Sequence, residues 1–175
     1  MKVLIKILLG LVIVVVLLAV VGFLLPREVH LERSIAVDAE PSAIYQELNN
    51  FQNFNKWSPW AQIDPNTKYN YSGPAAGVGA KMSWTSDHPD VGSGSQEIIE
   101  SVPNKKVTNV LLFEGFEPSQ ASLMIEPSGN GSTVTWTFDG DMGNNPIGRY
   151  FGLFMEDMLG PQYEEGLSNL KQVVE

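Results

Sequence analysis

The chain of 175 residues has no cysteine, only two histidines and only eleven Lys and Arg side chains. Without cysteine there are no disulfides, thiolate nucleophiles, zinc ribbons or cysteine-ligated clusters. His30 and His88 stand apart, and no His-Glu-x-x-His spacing surrounds either of them, so a histidine-based metal centre is not supplied. Basic residues never group beyond Lys105-Lys106. Affinity for a phosphate backbone comes mainly from clustered Lys and Arg, so nucleic acid is not an expected partner.

Several partial motifs fail on their own chemistry. Asp139-Gly140-Asp141 opens like a calcium loop, but glycine is missing from the sixth position and Tyr150 stands at the twelfth, where a glutamate is required. The glycines from Gly73 to Gly79 do not form a phosphate-cradling pattern, and Gly92-Ser93-Gly94-Ser95 is not a nucleophile elbow. Glu156-Asp157 and Glu164-Glu165 are adjacent pairs on a predicted helix, pointing about 100° apart, and cannot clasp one substrate atom as an acid/base dyad. No cofactor or metal is implied.

Charge is divided unevenly along the chain. Residues 1–26 carry only Lys2 and Lys6, while residues 27–175 carry nine basic and twenty acidic side chains, a net of -11. The nineteen residues from Ile7 to Leu25 are uncharged. As a helix at about 1.5 Å per residue they would cover roughly 28 Å, close to the hydrocarbon thickness of a bilayer. A cleaved signal usually has a shorter apolar region ending at a small-x-small site, so the expectation is an uncleaved anchor over 1–26 and one domain over 27–175. Lys2, Lys6 and the terminal amine favour a cytoplasmic amino terminus, with the acidic domain periplasmic or extracellular.

Within residues 27–175, Val29, Leu31, Arg33, Ile35 and Val37 alternate with polar or small residues, the period of a half-buried strand, and Arg33 interrupts the apolar phase. Pro41 with Ile44, Tyr45 and Leu48 reads as a helix start, followed by a short helical stretch from Phe51 to Asn55. Strands are expected near 68–72, 79–86, 93–101, 105–114, 119–127 and 132–140, bounded by Gly, Pro, Asn and Asp. A long helix is expected from about Pro146 to Val173, kinked at Gly160-Pro161. This is an α+β layout with a meandering antiparallel sheet.

Two features stand above this background. Arg33 needs an acceptor, and Glu100, on the Gln96-Ile98-Glu100 face of a later strand, is one candidate. The apolar phases also gather a set of aromatic and methionine side chains that includes Tyr71, Trp84, Phe113, Met124, Trp136, Phe138, Phe151, Phe154, Met155 and Met158. Such a set forms either a filled core or the wall of a cavity.

Val37-Asp38-Ala39-Glu40-Pro41, Ile44-Tyr45-Gln46-Glu47-Leu48 and Phe51 through Trp57-Ser58-Pro59-Trp60 resemble the opening of the polyketide cyclase/dehydrase family of the START-like (SRPBCC) superfamily. Tyr71-Ser72-Gly73-Pro74, Gly92 through Ile98, Val134-Thr135-Trp136 and Tyr163 through Lys171 extend the resemblance over residues 27–175. It implies the helix-grip fold, a seven-stranded antiparallel sheet around a long carboxy-terminal helix, with an apolar cavity between them. On that basis the expected function is a membrane-anchored binding module for a lipid or isoprenoid-like molecule. Trp84, Phe113, Trp136, Phe138, Phe151, Phe154, Met155, Met158 and Tyr71 would line its cavity, with Arg33 or Glu100 as polar anchor or acid/base. The alternatives are a cyclase or dehydratase acting in that cavity, and an envelope interaction protein whose cavity has collapsed.

Overall fold

Alternation decides which face of each strand is buried. In β7 (Gly131–Asp141), Val134, Trp136 and Phe138 are buried. In β6 (Ser119–Ser128) the same phase buries Ala121, Leu123 and Ile125 and turns Met124 to the opposite face, away from the apolar set assigned to it from sequence. The computed structural model describes residues 2–175, and among them β1 (Glu28–Val37), β2 (Lys68–Ser72), β3 (Lys81–Thr85), β4 (Ser93–Val102) and β5 (Lys106–Phe113) complete one antiparallel sheet. Its order is β1-β7-β6-β5-β4-β3-β2, so the first strand pairs with the last and the rest form a meander.

The segment between β1 and β2 joins opposite sheet edges through three short helices, α2 (Pro41–Leu48), α3 (Phe51–Trp57) and α4 (Pro59–Ile63). Pro41 and Pro59 start α2 and α4, where a missing N–H costs nothing. Asn50 caps α3, its Oδ1 accepting from the Gln52 N–H at 2.8 Å. The helix expected over 146–173 is two helices, α5 (Pro146–Gly152) and α6 (Met155–Val174). The break falls at Leu153 and Phe154, whose N–H groups bond three residues back to Tyr150 and Phe151, tightening and ending the turn. Pro161 lies inside α6.

Helix α6 covers the concave face of the sheet, and at the end farthest from residue 28 the space is filled solidly by Val37, Ile44, Leu48, Val134, Leu167 and Leu170. Along the outer edge of β1, Arg33 Nη1 donates to the Glu32 carbonyl and Lys171 Nζ to the Ala36 carbonyl, both at 2.9 Å, while the Asp38 N–H donates to Glu175 at 2.8 Å. Ahead of β1 runs α1 (Lys2–Leu24), of which Val3–Leu24 is long and apolar enough to cross a membrane.

Candidate functional site

Midway along the concave face the packing is aromatic. Trp136 stacks on Tyr163 of α6 with ring centroids 4.1 Å apart, and Trp57 and Trp60 meet Trp136 edge-on at 5.4 and 6.0 Å. These rings close the solid core. Between them and the end of the sheet nearest α1 lies a cavity of about 320 Å³, at the lower end of the ordinary ligand-pocket range.

The wall is largely apolar. Trp84 of β3 lies over Gly94, its partner on β4, where an added Cβ would meet the indole ring 2.7 Å away. The Trp84 indole N–H donates to the Val91 carbonyl at 3.3 Å, which fixes the ring, and Phe113 meets it edge-on. Leu111, Ala121 and Phe138 continue the wall across the sheet, and Phe151, Met155 and Met158 supply it from α5 and α6. Exposed Phe116 and Phe151, with ring centroids 6.1 Å apart, belong to the rim.

Polar groups are the minority: Asn55, Ser58, Ser119 and the tyrosines Tyr69 and Tyr163 are spread over the wall, the buried Trp136 indole N–H has no acceptor among the described residues, and the rest fall in two zones. Asp90, Glu117 and Asp141 reach the cavity from loops and strand ends, and among the described residues no Lys, Arg or His contributes to the lining. Asp141 is paired with Arg27, and this guanidinium together with the Gly143 N–H holds its carboxyl down to about 2. Deeper in, Asn109 of β5 and Gln96 of β4 share the inward phase and are only 4% and 5% exposed. Asn109 Nδ2 donates to Gln96 Oε1 at 3.3 Å, and the Asn109 carbonyl has no donor. A buried unpaired acceptor costs on the order of 1–3 kcal/mol.

The structure brings together Trp84, Phe113, Trp136, Phe138, Phe151, Met155 and Met158 on this wall. Phe154 stands outside it, 58% exposed, because the break before α6 turns it to solvent. Tyr71 lines a separate, smaller depression beside Phe51, Pro74 and Lys81, where its hydroxyl accepts from Asn55 Nδ2 at 2.8 Å. Arg33 is on the inward phase of β1, but this is an edge strand crossed by α6. Gly160 leaves room for its guanidinium between Glu156 and Glu164, which bind it and hold its pKa above the usual value. Glu100 is not its partner: a bulge between Ile98 and Glu100 turns Glu100 outward to Lys106 at 2.7 Å and Thr108 at 3.1 Å, and these hydrogen bonds hold its carboxyl below the usual range. Sequence reading passed over Asn109, Leu111 and Ala121, although their shared phase with Val107 and Leu123 was the available signal.

The last strip of wall is tied to α1. Tyr150 of α5 donates to the Leu18 carbonyl at 2.8 Å, and Arg149 Nη1 donates to the Phe23 carbonyl at 2.6 Å while lying over the Phe23 ring. Gly22 lets the two helices approach, since an added Cβ there would meet Pro146 and Tyr150.

Residues 28–175 match the family described as polyketide cyclase / dehydrase and lipid transport. Among solved structures, an Aha1 dimer from Colwellia psychrerythraea is 20% identical, with 84% of this chain and 96% of that one covered at a TM-score of 0.57. A protein from Chromobacterium violaceum is 18% identical, with coverages of 85% and 98% and a TM-score of 0.55. The di-domain aromatase/cyclase StfQ of the steffimycin biosynthetic pathway is 11% identical, and the match covers 84% of this chain but 51% of StfQ, with a TM-score of 0.61. At these identities the likeness is one of fold. No curated protein sequence matches the chain.

Proposed function

The chain belongs to the polyketide cyclase/dehydrase and lipid transport family, and from that premise we propose that it is a membrane-anchored module binding a lipid or isoprenoid-like molecule in the cavity beneath α5 and α6. Residues 1–26 serve as the anchor and 27–175 as the binding domain. The amino terminus lies on the cytoplasmic side, where Lys2 and Lys6 belong by the positive-inside rule, and the acidic domain faces the periplasm or the extracellular space.

The observation that carries this reading is the seat of α5. One helix supplies Phe151 to the cavity rim and hydrogen-bonds through Tyr150 to Leu18, six residues before the end of α1. Six residues of helix measure about 9 Å, so with α1 across a bilayer the Tyr150 contact lies within the outer part of the hydrocarbon and the rim beside it at the hydrocarbon's edge. Ile147, 75% exposed on the same helix, and Phe116, 59% exposed beside Phe151, then face acyl chains rather than water. A hydrophobic ligand would pass between bilayer and cavity without crossing solvent.

The reading is tested by native mass spectrometry of the full chain ejected from lipid nanodiscs. Wild-type protein is expected to retain an apolar adduct, and Ala121→Phe, which fills the wall from β6, to lose at least about tenfold of it with its melting transition kept. Wild-type protein that is reproducibly empty with lipids offered would sink the reading. An acid/base role for Arg33 or Glu100 is not supported, since both carboxylate-paired Arg33 and lysine-paired Glu100 lie outside the lining.

A further inference from the structure

We propose that the cavity selects the head group of its ligand, taking an uncharged group that both donates and accepts a hydrogen bond, a hydroxyl or a primary amide, and rejecting charged heads. The inference deepens the reading above and rests on it. Its source is the Asn109–Gln96 pair. By register Asn109 faces Ile98, and Gln96 faces Leu111, so both amides sit on the wall deeper than Phe113, which pairs with Gly94 nearer the rim. The pair is joined by one hydrogen bond at 3.3 Å, and among the described residues the Asn109 carbonyl is left without a donor.

Two amides sharing one bond leave one carbonyl and several N–H groups unused. Reversing both side-chain amides preserves this count. A carbonyl wants a donor and the N–H groups want an acceptor, and an alcohol oxygen supplies both from one atom. A primary amide supplies both from adjacent atoms. A hydrocarbon end supplies neither and leaves the pair unsatisfied.

Charge sets the other half of the selection. A carboxylate or phosphate carried to this depth would shed its hydration with no Lys, Arg or His among the described residues of the wall to replace it, and it would pass Asp90 and Glu117 on the way. An ammonium would have to leave the Asp90 and Glu117 carboxylates behind on its way in and would meet only one amide carbonyl at that depth, the other lining carboxylate, Asp141, being held by Arg27. Neutral heads alone avoid an unpaired buried charge.

The test uses one chain length with different ends: dodecane, dodecanol, dodecanamide, dodecanoate, dodecyl phosphate and dodecylammonium, each offered to the full chain in nanodiscs and read as retained mass. Dodecanol and dodecanamide are expected to exceed the three ions and dodecane by at least about tenfold. Asn109→Leu combined with Gln96→Met removes both partners at similar volume, a change that is often near neutral for stability, and is expected to keep dodecane while erasing the advantage of the alcohol. Equal retention of every end, or an ion retained best, overturns the head-group inference and leaves the cavity reading standing. The same holds if the double variant keeps the alcohol preference. Retention of no member, dodecane included, overturns both.

Discussion

Arg27 and Asp141 meet through two parallel hydrogen bonds where the chain leaves α1 and starts β1. Asp141 has a folded pKa of about 2, below its ordinary 3.8. The stabilisation from this pair is therefore complete above the ordinary value and is lost as pH falls through about 2. Asp141→Asn is expected to melt lower than wild type at neutral pH, with the gap closing in acid. Melting curves from pH 7 downward check this, and a gap that stays constant would contradict it. Single residues also show where sequence reading stops. Trp84, Trp136 and Phe138 were legible because alternation fixes the face of a regular strand. Glu100 was not, because one extra residue in β4 inverts the phase beyond Ile98, and nothing in the string Gln96-Glu97-Ile98-Ile99-Glu100 marks the bulge.

At the scale of elements, α6 meets the sheet through glycine in two places with different obstacles. At Gly166 an added Cβ would lie 2.8 Å from the Trp136 ring and 3.1 Å from Pro59, both held by surrounding packing. Gly166→Ala is expected to destabilise by roughly 1–3 kcal/mol in urea unfolding, although alanine favours helix by up to about 1 kcal/mol. At Gly160 the obstacle is the Arg33 guanidinium, which can swing away, so Gly160→Ala should cost less. Equal costs would mean the Trp136 contact yields more easily than its packing suggests. The sequence placed the helical stretch and missed its break into α5 and α6. Proline gave the visible signal at Pro161, whereas the break at Leu153 and Phe154, where the N–H groups bond three residues back, carries no Pro or Gly at those two positions to mark it.

Across the whole molecule, β1 carries the chain from the end of α1 to the far end of the sheet, roughly 30 Å over ten residues. The solid core lies at the far end and the cavity at the near end, and this division depends on volumes that periodicity does not encode. Absence of cysteine makes the arrangement measurable. A fluorophore on Phe154→Cys is expected to be quenched by nitroxide lipids in vesicles, and one on Ser128→Cys, in the distal hairpin, to be spared. Equal quenching would count against the proposed seat of the cavity rim at a bilayer. Proteins held on a surface are crowded in two dimensions, and an edge strand there invites a neighbour's strand to add to it. On β1 the Glu32 and Ala36 carbonyls, and just past it the Asp38 N–H, are already taken by Arg33, Lys171 and Glu175, so a neighbour's strand would meet an interrupted ladder along the second half of that edge.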